Sequence, residues 1–194
     1  MNHCQLSIQI TQEYQLLCSI YITKNNIKQE QIIKLNTTQN NLHPITITIT
    51  TNEMIMCKEE ENKENEQTIS FIQELLQKPV EYSRYTFYFQ GKEYSVLAEV
   101  LFALIINEFK KKIEKEWIID ETYLQLPTRD YLSIHRIRVS LESIGLTNIV
   151  MNLIEFDYSK DGDLLDELIE KKEEYEKFVH QIEFLSNQLN PRRF

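Results

Sequence analysis

Residues Leu6–Ile22 read L-S-I-Q-I-T-Q-E-Y-Q-L-L-C-S-I-Y-I. Two runs of alternating apolar residues, Leu6–Ile10 and Leu16–Ile22, flank Thr11-Gln12-Glu13. That is the pattern of a β-hairpin. The turn contains none of the Gly, Asn or Asp residues that take a positive φ at low cost. Sound strands around a poor turn raise the question of what the turn once had to do. Downstream, Lys24–Lys28 reads as a second turn and Gln31–Leu35 as a third strand, which together make a meander.

Working outward, Thr37–Leu42 is a polar loop closed by His43-Pro44. Ile45, Ile47 and Ile49 then alternate with Thr46, Thr48 and Thr50, which predicts a half-buried strand. Lys58–Glu66 is a charge run, read as a solvated segment. Thr68–Gln77 has helical spacing at Ile69, Ile72, Leu75 and Leu76, and Pro79 ends it. Tyr85–Phe89 is an aromatic strand turned by Gln90-Gly91-Lys92. Ser95 is the expected N-cap of a deeply buried helix running from Val96 through Phe109, with Glu99 in its first turns. Thr122–Leu126 is a strand stopped by Pro127, Tyr131–Ile144 an amphipathic helix with Gly145 behind it, and Asn148–Ile154 a last strand. Strand, helix, strand in this order predicts a parallel crossover, right-handed by default.

Composition narrows the function classes. The chain has 194 residues, 42% of them apolar, enough for one cored domain with or without an appendage. Its formal charge is −9, and no basic stripe interleaves with aromatics, which argues against nucleic-acid binding. Cys4, Cys18 and Cys57 are isolated, as in a reducing compartment, and fit neither a disulfide nor a zinc framework. No signal-like N-terminus and no apolar run of membrane-spanning length is present, so the expected setting is the cytoplasm. His3, His43, His135 and His180 lack metal spacing. Asp157, Ser159, Asp161 and Gly162 imitate the start of a calcium loop, but its required position-twelve Glu is Leu168, so a plain loop is expected.

The order of these segments resembles the first nucleotide-binding lobe of the seventy-kilodalton heat-shock chaperone family, within the actin-like ATPase superfamily. L-S-I-Q-I-T-Q-E-Y-Q stands where that family has its phosphate hairpin I-G-I-D-L-G-T-T-Y-S. H-P-I-T-I-T-I-T, T-I-S-F-I-Q-E-L-L-Q, F-Q-G-K-E-Y-S-V-L-A-E-V-L, T-Y-L-Q-L-P-T-R-D-Y-L-S and I-G-L-T-N-I-V-M-N-L-I-E-F follow in family order. The match spans about Leu6 to Phe156 without one intact motif, and the second lobe, peptide-binding domain and lid have no counterpart. The resemblance implies an α/β, ribonuclease-H-like lobe with a mixed sheet flanked by helices. One subdomain would hold residues 1–35 and 118–157, an inserted second one 36–117, and a long helix 158–194.

The resemblance also says which residues would hold ATP and Mg²⁺. The Asp position is Gln9, the Gly position Thr11, and the two Thr positions Gln12 and Glu13. Glu74 stands in for the catalytic lysine. Gln9 supplies no anion for the metal, Thr11 adds a side chain where phosphate must approach, and Glu13 and Glu74 bring negative charge towards a triphosphate. These five positions are expected to be non-functional. Pro127 and Glu155 match a relay proline and a nucleotide-pocket glutamate, and are read as a strand terminator and a strand-end carboxylate. The family's Arg after that proline lands at His135 or Arg136. The expected protein is not an enzyme and carries no cofactor, ATP being the lesser alternative. It is an interaction protein whose partners belong to the chaperone system.

Leu164, Leu168, Lys171, Tyr175, Phe178, Ile182, Leu185 and Leu189 alternate steps of four and three, a heptad seam with Lys171 its one polar member. It either packs on its own domain or joins two copies as a coiled coil.

Overall fold

The computed structural model describes residues 2–24, 27–35, 41–58, 66–77, 84–127 and 131–151. The heptad seam, the calcium-like loop, Glu155, most of the charge run and the end of the last strand lie outside them. Among the described residues no helix is long and apolar enough to cross a membrane.

The opening hairpin forms. Strand β1 (Asn2–Ile10) pairs antiparallel with β2 (Gln15–Lys24), Ile10 opposite Leu16. The alternating residues Leu6, Ile8, Ile10, Leu16, Cys18 and Ile20 all turn to one face and are buried. The third strand starts earlier than expected. β3 covers Ile27–Ile32, and Lys24 opposite Ile27 makes the connection a two-residue one. A two-residue β4 (His43–Pro44) pairs with the start of β2. On the other side of β1 lies β10 (Trp117–Gln125), parallel to it, and beyond β10 the parallel β11 (Ile149–Met151). The mixed sheet therefore runs β11-β10-β1-β2-β3.

Between β4 and β10 the described residues form two smaller sheets and two helices. β5 (Thr46–Ile49) is flanked by β6 (Met54–Met56) and β7 (Gln67–Ser70). β5 is buried on both faces rather than half-buried. Its threonines tolerate this because Thr46 donates to the Lys58 carbonyl (3.1 Å) and Thr48 shares a bond with Thr68 (3.0 Å). Helix α1 is confined to Ile72–Gln77, since Thr68–Ser70 pair with β5 instead of starting the helix. β8 (Arg84–Phe89) and β9 (Lys92–Leu97) form a hairpin over the left-handed pair Gln90 (φ 50°) and Gly91 (φ 73°). Ser95 is thus a strand residue. The N-cap of α2 (Ala98–Ile113) is Leu97, without a side-chain cap bond. As expected, α2 is apolar around most of its circumference. Val100 through Ile106 are 0–1% exposed, and the helix packs on α3 while also touching α1, β9 and β10.

Helix α3 (Tyr131–Ser143) carries the crossover from β10 to β11. Ile134, Ile137, Leu141 and Ile144 are inward, as their spacing predicts. Gly145 ends it at φ 80°. Its amide bonds to the Glu142 carbonyl (2.9 Å) and the Leu146 amide reaches the Leu141 carbonyl (3.1 Å), a Schellman stop. Lys110 of α2 donates to the neighbouring Ile144 carbonyl at 2.8 Å. Gly145→Ala is expected to cost about 1 kcal/mol of unfolding free energy, and Gly145→Asn less, because Asn takes the left-handed conformation more readily. Urea titration of the two variants checks the order.

Candidate functional site

Pro127 apart, the described candidate residues gather at two places: the tip of the first hairpin and the junction of α1, α2 and α3. At the tip, Tyr14 donates its amide to the Thr11 carbonyl (3.0 Å) and Thr11 donates to the Gln15 carbonyl (2.9 Å). The Thr11 hydroxyl accepts from the Gln15 amide at 3.2 Å. Tyr14 takes the left-handed conformation (φ 58°) that closes a three-residue hairpin loop. A Gly would do this without strain; the Tyr costs about 1 kcal/mol. Gln12 and Glu13 are exposed, while Gln9 is half-buried in β1 opposite Leu17 on one side and Gln125 on the other.

Glu74 sits elsewhere, in α1, half-buried at the helical junction. Counted residue by residue along Thr68–Gln77, the family lysine falls on Gln73 rather than Glu74. Gln73 is exposed, and neither residue brings an ammonium group. Arg136, one of the two positions the family arginine could take, is buried in α3. Its Nε donates to Glu99 Oε1 of α2, and its Nη1 reaches the Leu75 carbonyl at 3.2 Å and the Glu74 carbonyl at 3.4 Å. Ser133 donates to the Leu76 carbonyl at 2.8 Å. Two side chains of α3 thus cap the carbonyl end of α1, while Glu99 of α2 balances the arginine. Burial, then the nearby Glu74 carboxylate, hold the Tyr85 hydroxyl well above its ordinary pKa, against the pull of Arg136. The structure brings Glu74 and Arg136 together. Pro127 is exposed at the end of β10, in keeping with a strand terminator.

Sequence reasoning treated Glu99 as an ordinary first-turn acid and missed this ion pair. A signal was there: one Glu inside the apolar run 96–106, and one Arg on the inward side of α3. Charges on buried faces have to pair.

Other chemistry is sparse among the described residues. No group of three or more His, Cys, Asp or Glu is placed to hold a metal ion. The three cysteines are free and buried, and burial pushes the thiols of Cys4 and Cys57 up to about 11 and about 12. An open depression of about 450 Å³ lies beside the β8–β9 turn, lined by Thr50, Glu66, Tyr88 and Gly91 among others. None of Gln9, Thr11, Gln12, Glu13 and Glu74 lines it. Comparison of the chain with models of protein families and with curated proteins returned no match.

The junction makes Arg136 the most sensitive charged residue described. Glu99 Oε2 is buried with no hydrogen-bond partner, so little else there can stabilise the carboxylate. Arg136→Met is expected to cost about 3–5 kcal/mol because it strands that carboxylate, whereas adding Glu99→Leu recovers most of the loss. A double-mutant cycle by chemical denaturation measures both.

His43 is buried edge-on against Phe109. Burial lowers its pKa; the Ile33 backbone opposes this, and the charges of Lys34 and Lys112 add to it. Burial lowers His135 as well. The unfolded chain then binds protons near pH ~6.5 that the folded chain refuses, so stability is full above that pH and falls as pH drops through it. His43→Leu is expected to flatten the loss between about pH 7 and pH 5, read by denaturation midpoints across that range.

Proposed function

We propose that the chain is a degenerate relative of the first ATPase lobe of the seventy-kilodalton heat-shock chaperones, and that it acts without catalysis as an interaction or regulatory protein on members of the chaperone system. In this reading residues 1–35 and 118–157 form the ribonuclease-H-like subdomain and 36–117 the inserted one. The mixed sheet supports it: an antiparallel meander lies on one side of β1, the parallel β10-α3-β11 crossover on the other, and a long insertion between.

The observation that carries the non-catalytic part is the hairpin tip. There the Thr11 amide and hydroxyl are bonded to Gln15, and the Glu13 carboxylate is exposed on the turn that this reading sets against phosphate. At ~4 Å, a carboxylate opposes each phosphate charge by about 1–4 kcal/mol between bulk-water and near-surface dielectrics. Gln9 offers Mg²⁺ no anionic ligand in return.

Isothermal calorimetry with Mg-ATP is expected to show no saturable heat at millimolar nucleotide; saturable heat that Glu13→Arg strengthens would restore the ATP-binding alternative. Affinity capture from native lysate is expected to enrich chaperones or co-chaperones, and their absence would count against the partner class.

A further inference from the structure

Strand β3 closes one end of the six-stranded sheet, and among the described residues it pairs only with β2. Its first five residues are exposed, Ile27 at 62%. The direction of its free backbone groups follows from the ladder. The Ile33 amide donates to the Cys18 carbonyl at 2.8 Å, and the register runs from Ser19 opposite Ile32 to Lys24 opposite Ile27. Antiparallel ladders alternate bonded and non-bonded pairs. Residues 27, 29, 31 and 33 therefore spend their backbone groups on β2, and Lys28, Glu30 and Ile32 point theirs away from it. Such an outward row is a template for another strand.

We propose that this edge docks a second copy of the chain, the two β3 strands running antiparallel across a two-fold axis through Gln29. Only registers that set outward residues opposite one another can form bonded pairs. An axis through Lys28 puts lysine against lysine, and one through Glu30 puts glutamate against glutamate. An axis through Gln29 puts Lys28 of each copy opposite Glu30 of the other, twice, with the two Gln29 residues face to face. Axes further along the strand shorten the overlap. Charges on an edge strand ordinarily prevent association. Here their alternating sign opposes the like-charge registers and favours one that is self-complementary, as a two-fold interface requires.

Both charges already stand on one face of the sheet. Lys28 Nζ lies 4.6 Å from the centre of the Tyr21 ring. Glu30 accepts from Ser19 at 2.8 Å and from Tyr21 at 3.2 Å. This interface shares no residue with the Leu164–Leu189 seam.

Sedimentation equilibrium of the full chain tests the proposal, with circular dichroism to show that each variant folds. The wild-type chain is expected to dimerise reversibly. Glu30→Lys or Lys28→Glu alone should weaken the dimer at least about tenfold, and the double swap Lys28→Glu/Glu30→Lys should restore it, because the Gln29 register stays complementary when both signs reverse. A wild-type monomer at high micromolar concentration overturns the proposal. So does a dimer indifferent to Glu30→Lys, or a double swap that stays monomeric.

Discussion

The buried pair between Glu99 and Arg136 is the constraint on which the helical half of the structure depends. Arg136 approaches from α3, Glu99 from the first turn of α2, and the carbonyls that Arg136 also binds belong to the end of α1. α1 is only six residues long, too short to hold its shape unaided. Its carbonyl end is satisfied by α3 through Arg136 and Ser133. Such a pair is weak as a source of stability, since desolvation offsets most of its attraction. Its strength is in specification, because any packing that separates the three helices strands a charge in an apolar interior.

That junction also alters the meaning of Glu74. The resemblance set it in place of a lysine, but the count along Thr68–Gln77 puts Gln73 at that position. In the structure Glu74 belongs to a residue pair whose carbonyls receive Arg136 and whose carboxylate acts on Tyr85. The position has structural work within the fold, independent of any nucleotide.

Local pattern made much of the sheet legible. The alternation of Leu6–Ile22 set its own register, because a slip of one residue would send Leu6, Ile8 and Ile10 into water. Gly145, with the stripe Ile134, Ile137, Leu141, was enough to set α3 and its stop. What escaped was decided by distant partners. Thr68–Ser70 has helical spacing, yet β5 claims it as a strand. Val96 and Leu97 fit a helix equally well, but pairing with Tyr85 and Arg84 holds them in β9, so the N-cap falls two residues after Ser95. β3 begins at Ile27 because the hairpin closes over two residues, whereas Lys24–Lys28 reads as one long polar turn. At the candidate site the hairpin was legible and Arg136 was one of two candidates, but its pairing with Glu99 links residues 37 apart and leaves no local period.

The hairpin tip separates folding from chemistry. Folding asks of residues 11–15 that one of them accept a left-handed conformation and that the strand ends be tied. Tyr14 does the first for about 1 kcal/mol, and the Thr11–Gln15 bonds do the second. Each apolar side chain that β1 and β2 bury is worth about 1.5–3 kcal/mol, so the strands outweigh the turn several times over. Folding therefore places little demand on whether position 11 is Gly or positions 12 and 13 are Thr. Binding a phosphate would place a strict one. On the function proposed above, good strands joined by Thr11-Gln12-Glu13 are what would remain if the first demand were kept and the second dropped; the fold alone demands little of these three residues.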